Sequence, residues 1–178
     1  REFQMGSPDN EPFHSPFERS HRRRIPWHFA VGQREVSITE YRRFDPEHEH
    51  NADVAPETTC PVNDVTWWDA VKYCRWLSER AGLPEDEMVY PPLEQIGPMM
   101  VLPDQWWLRR GYRLPTSAEW EFFCRGGEPS SRSSGEGVDY LDQYAWYVAN
   151  SRRRSWPTGR LAPNPLGGFD LHGNVMEW

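Results

Sequence analysis

Apolar positions recur at helical spacing in three places along this chain, and each opens with the same polar signal. Ser37 with Glu40 precedes Ile38, Tyr41 and Phe44; Thr66 with Asp69 precedes Trp67, Val71, Cys74 and Leu77; Thr116 with Glu119 precedes Trp120, Phe123 and Cys124. In each case a hydroxyl can accept from the first free N–H groups of a helix while a carboxylate three residues on reaches back to the cap. The third helix is closed by Gly126-Gly127, which allow a left-handed exit. Strand signals are weaker. Residues 3–7 read as a short strand running into a Pro-Asp-Asn turn, and 25–31 with 34–36 alternate imperfectly, as half-buried paired strands would. Residues 88–90, 144–148 and part of 167–178 read as further short strands. Residues 45–60 lack any period and read as a surface loop. The Pro-rich stretch 84–110 reads as a long excursion anchored by Trp106, Trp107 and Leu108, and Ser/Gly-rich 129–139 as a mobile loop.

Composition sharpens this outline. At 178 residues the chain is one domain's length, but 13 Gly and 17 Pro leave little room for long elements. With 10 Trp and 14% aromatic residues, large flat side chains must supply much of the core. The expectation is a loop-rich α+β fold whose core includes Trp67, Trp120 and Phe123. A formal charge of −7 argues against a general nucleic-acid binder. Two arginine runs, 22–24 and 152–154, stand against that background; each reads as a solvated loop or as a contact for an acidic peptide or a phosphate. No run of about 18 apolar residues marks a membrane span.

Residues 111–127, GYRLPTSAEWEFFCRGG, resemble the signature segment of the sulfatase-modifying factor family, the formylglycine-generating enzymes and their relatives. The resemblance continues upstream in Pro61-Val62-Asn63-Asp64-Val65-Thr66-Trp67 with Tyr73-Cys74, and downstream in Asn164-Pro165-Leu166-Gly167 and Gly173-Asn174-Val175-Met176-Glu177-Trp178. Residues 3–7 and 35–44 fit the family's opening. The ordered blocks imply a C-type-lectin-like α+β fold, capped helices on small antiparallel sheets, over a single domain at 1–178. Blocks that run to both edges lead to the expectation that the chain is part of a longer protein.

Candidate chemistry follows from residue types and from the resemblance together. Asp170 to Glu177 gathers hard oxygen donors around a glycine turn, which suits calcium. The resemblance implies a calcium site using the side chains of Asp170 and Glu177 and the carbonyls of Gly173 and Val175. It implies a second at Asn150 and Ser151, whose later acidic ligand has no match in 152–159. Cys74 and Cys124 fall on apolar helix faces and read as small buried hydrophobes; the resemblance makes them possible disulfide halves whose partners lie in the C-terminal part of the family domain. Cys60 reads as a thiol outside any disulfide. The family's enzymes hold copper(I) between two cysteines, a soft pair for a soft metal, and the resemblance assigns none of these three cysteines to that pair, so no catalytic residue is expected here. His48 and His50 lie in an aperiodic loop that offers a metal no fixed geometry. Glu121 reads as an ion-pair partner of Arg113 or Arg125, and His172 as a hydrogen-bonding residue.

Three functions fit this reading. The resemblance implies a parent enzyme that oxidises the cysteine of a sulfatase Cys-x-Pro-x-Arg peptide to formylglycine. The same fold also serves as a binding or scaffold domain, for example fused to a bacterial protein kinase. Third is an ergothioneine-synthase-like oxygenase, which would need an iron-binding histidine cluster that the six scattered histidines do not form.

Overall fold

A computed structural model describes residues 1–11, 14–130, 132–133, 135, 137 and 139–178. Positions 131, 134, 136 and 138 of the Ser/Gly-rich stretch therefore lie outside the described residues. The chain is α+β, with small helical content and, among the described residues, one small antiparallel sheet. Its backbone gathers into two compact units: residues 1–35 with 115–175, and residues 36–114 with 176–178.

In the first unit, β1 (Glu2–Met5) pairs antiparallel with β2 (His21–Arg24), Glu2 opposite Arg24 and Met5 opposite His21. The α3 helix, Ser117–Cys124, starts on the expected Thr116/Glu119 capping box. It ends as the two glycines require. The Gly126 N–H donates to the Phe123 carbonyl at 3.0 Å and the Gly127 N–H to the Phe122 carbonyl at 3.1 Å, a Schellman closure with both glycines at positive φ. Ile25, Ala118 and Phe122 form the buried cluster, with Phe3, Met5, Trp27 and Phe29 packed on it. Of the expected core residues, Phe123 is buried, whereas Trp120 is only half-buried and lies outside this cluster.

The strands expected at 25–31 and 34–36 do not form; the pairing falls just upstream. Residues 25–29 do bury alternate side chains, Ile25, Trp27 and Phe29, so the alternation reported burial correctly without a ladder. The real partner strand, His-Arg-Arg-Arg, is exposed at all four positions and carries no apolar period to read. No strand forms at 144–148 or in 167–178, which are turns, bends and irregular backbone. At 147–150 the Asn150 side chain closes its own turn, its Oδ1 accepting from the Tyr147 N–H at 2.7 Å and its Nδ2 donating to the Ala145 carbonyl at 2.9 Å.

In the second unit, α1 (Ile38–Tyr41) and α2 (Trp67–Arg80) each open with a complete capping box, at Ser37/Glu40 and Thr66/Asp69. Ile38, Ala55 and Cys60 form one buried cluster. Val71, Cys74, Val89 and Tyr90 form another, on which Trp67, Trp106 and Leu114 pack. Residues 88–90 are thus core without being a strand. Arg75 ties the Pro-rich excursion to α2: it is 5% exposed, pairs with Glu79 at 2.7 Å and Glu85 at 2.8 Å, and donates to the Tyr90 carbonyl at 2.8 Å. The histidines at 48 and 50 are tied down locally. Arg42 donates to the His48 carbonyl and to His50 Nδ1, and His48 Nε2 donates to the Asn63 carbonyl at 2.9 Å.

Candidate functional site

The three cysteines are all buried and none is in a disulfide. Cys60 belongs to the Ile38 cluster and Cys74 to the Val71 cluster, and burial pushes the Cys74 thiol up to about 12 despite the favourable charge of Arg113. The Cys124 S–H donates to the Leu171 carbonyl at 3.1 Å. His172 stands beside it, its Nδ1 3.5 Å from Cys124 Sγ, while its Nε2 accepts from the Ser133 N–H at 3.1 Å. Burial, helped by the charge of Arg132, holds His172 below the usual imidazole range. A neutral ring that accepts at Nε2 carries its proton on Nδ1, so it faces the sulfur as a donor rather than a base. Cys60, Cys74 and Cys124 thus sit in three separate buried settings, and a copper(I) pair needs two thiolates converging on one ion. The cysteines present do not fit that metal.

The 170–175 loop is built differently. Asp170 is 2% exposed at a left-handed φ of 62°. Its Oδ2 accepts from the Gly159 N–H at 2.6 Å, while its Oδ1 is buried without a hydrogen-bond partner. Burial raises the carboxyl above its ordinary range, against the opposing effects of the Gly159 N–H and the Arg34 charge. A buried carboxylate oxygen lacking a donor fits a cation. Gly173 and Val175 follow in the same loop, and the Gly173 carbonyl already accepts from the Val175 N–H at 3.0 Å. A side chain at Gly173 would collide with the Trp146 carbonyl, which is why only glycine fits there. Glu177 is exposed and belongs to the second unit, and Asn150 and Ser151 serve the turn around Trp156, the Ser151 carbonyl accepting from the Trp156 indole at 3.0 Å. Among the described residues no group of three or more His, Cys, Asp or Glu side chains is placed to hold a metal.

Glu121 pairs with Arg125 at 2.8 Å and accepts from the Gly6 N–H, settling the choice between its two expected partners. Two asparagines organise the site beyond what the sequence indicated. Asn174, at φ 70°, donates to Glu35 at 2.7 Å and to the Trp156 carbonyl at 3.1 Å, and accepts from the Trp156 N–H at 2.8 Å. Asn164, 6% exposed, donates to the Phe123 carbonyl at the end of α3 and accepts from the Leu166 and Gly168 N–H groups. Their one sequence signal was a position beside Gly or Pro in the motif blocks. The first unit also carries a cleft of about 330 Å³ lined by Trp27, Phe29, Phe122, Phe123 and Leu166, at the small end of the range for ligand sites.

The family model for the sulfatase-modifying factor enzyme 1-like domain matches residues 2–178. This chain belongs to that family. A protein named chaperone protein LppX from Paenibacillus barcinonensis is 32% identical over 66% of this chain and 50% of its own length. The formylglycine-generating enzyme of Mycobacterium tuberculosis is 31% identical over 63% of this chain and 41% of its own length. The chain thus spans about half or less of these curated relatives. Among solved structures, PvdO from Pseudomonas aeruginosa superposes with a TM-score of 0.72 at 24% identity, covering 100% of this chain and 66% of that one. This sulfatase-modifying factor domain therefore has the formylglycine-generating-enzyme type of fold, with the 170–175 loop as its best-defined polar site.

Proposed function

We propose that this chain works as a binding module of the sulfatase-modifying factor fold and carries no oxidase chemistry of its own. The observation that supports this is the placement of its cysteines: Cys60, Cys74 and Cys124 are 0%, 8% and 5% exposed, in separate apolar or carbonyl-facing sites. Burial holds the Cys74 thiol well above its ordinary range, so little thiolate forms there at pH 8. Iodoacetamide at pH 8 is expected to leave the native chain unlabelled at Cys74 and to label it fully in denaturant, as read by intact-mass spectrometry. A Cys-x-Pro-x-Arg peptide incubated with the chain, copper(I) and O₂ is expected to come back unchanged, and formylglycine in that peptide would overturn the proposal.

A second reading is supported by the similarity to the Mycobacterium tuberculosis enzyme: that the whole protein oxidises a sulfatase cysteine, with this chain supplying the scaffold. The full-length protein would then convert the same peptide while the present chain does not.

Under either reading Asp170 is the residue to hold a structural calcium ion, with the carbonyls of Gly173 and Val175 among the further ligands that the family resemblance implies. The ion would neutralise the buried carboxylate and cross-link the loop. At a hundredfold excess over Kd, calcium should stabilise the chain by about 2.7 kcal/mol, raising Tm by roughly 5–10 °C for a domain of this size. The D170N variant keeps a residue that tolerates left-handed backbone and should lose that gain. A Tm equal in calcium and in EGTA would remove the ion from this loop.

A further inference from the structure

Residues 151–160 arrange arginines around one fixed indole. Trp156 stacks on Trp146, ring centroids 4.7 Å apart and 17° from parallel, and its N–H groups are spent on the Ser151 carbonyl and the Asn174 side chain. Against this ring lie the guanidinium carbons of Arg154 at 4.0 Å, Arg160 at 5.7 Å and Arg152 at 5.9 Å from its centroid. Arg152, Arg153 and Arg160 are exposed, and Arg154 is half-buried. Arg152 and Arg153 both take left-handed backbone, φ 57° and 60°, a conformation that a loop of non-glycine residues adopts only when its surroundings hold it there.

The charges make this arrangement unusual. Three cations around one ring repel one another, and the indole face offsets only part of that. The chain has 27 acidic residues, yet among the described residues none forms an ion pair with Arg152, Arg153, Arg154 or Arg160. The other arginine run behaves differently: it is the strand β2, and Arg22 pairs with Glu2. At 152–160, by contrast, Arg152, Arg153 and Arg160 are exposed and the half-buried Arg154 lies on the Trp156 ring, an arrangement suited to pairing with carboxylates from outside.

We propose that the 152–154 loop, with Arg160 and Trp156, is a docking surface for an acidic peptide segment whose successive Asp or Glu side chains pair with several guanidinium groups. Carboxylates spaced along a peptide can each pair with a different guanidinium group. The patch is confined to one loop of a chain with net charge −7, which does not suit the long phosphate track of a nucleic acid.

The test is fluorescence anisotropy of a labelled hexaglutamate peptide titrated with the whole chain, with unlabelled inorganic phosphate and a single-stranded hexanucleotide as competitors. Binding is expected, weakening as salt rises. R154Q/R160Q should weaken it by about tenfold or more, R160E, at an exposed position, should weaken it with thermal midpoint unchanged, and R22Q/R23Q/R24Q should leave it intact. No binding of hexaglutamate, or equal binding by R160E, overturns the proposal. Competition by phosphate or the hexanucleotide at concentrations as low as those of unlabelled hexaglutamate overturns the peptide assignment.

Discussion

Replacing Glu119 with alanine is expected to destabilise the chain by about 3–5 kcal/mol, the range for breaking a buried, charge-assisted network by removing one member. Glu119 has no exposed surface. One oxygen accepts from the Thr116 N–H at 2.8 Å and from the Thr116 hydroxyl at 3.0 Å, closing the capping box. The other accepts from the Trp27 indole N–H at 2.7 Å, across 92 residues of chain. Truncation therefore removes a cap and a tertiary anchor together and leaves a void beside Ala118 and Phe122. Thermal denaturation should show Tm lowered by roughly 6–20 °C. The E119Q variant keeps the shape but turns an N–H group toward these donors, and should fall between the two. A loss under about 1 kcal/mol for E119A would mean that the box and the indole contact are dispensable.

Phe122→Ala should cost about as much, 3–5 kcal/mol, whereas Trp120→Ala should cost clearly less. Phe122 is 8% exposed, stands edge-on to Phe3 at 5.4 Å and shares a cluster with Ile25 and Ala118. Its removal opens a cavity between the helix and the hairpin, and a rigid interior fills such a cavity only in part. Trp120 is larger but half in solvent, so less area returns to water. Chemical denaturation of the two variants decides the matter; equal midpoints would place Trp120 in the core after all.

What could be read from the chain was whatever is local. The capping boxes at Ser37, Thr66 and Thr116 each involve residues three apart, and all three helices begin where those residues put them. The sequence offered Arg113 or Arg125 as the partner of Glu121, and the pair that forms is the local one, four residues apart. Long-range duties were not. Glu119 could be read as a cap but not as the partner of Trp27, and Asn164 gave no sign that it would satisfy the end of α3 from 41 residues away. The hairpin was half visible, because β1 is apolar at alternate positions and β2 is four exposed polar residues. At the candidate site, Asp170 was named from its motif, but its buried, donorless oxygen is a property of the folded loop and not of any spacing.

The division of the backbone into two units has a consequence for synthesis. Every member of the Val71 cluster lies between residues 67 and 114, and every member of the Ile38 cluster between 38 and 62. The Phe122 cluster joins residue 3 to residue 122. As the chain leaves the ribosome, the middle segment has its partners beside it and can close early, while the first thirty-five residues wait for α3 to emerge. During that interval Phe3, Met5, Trp27 and Phe29 are uncovered, and a nascent-chain chaperone would find its binding site there.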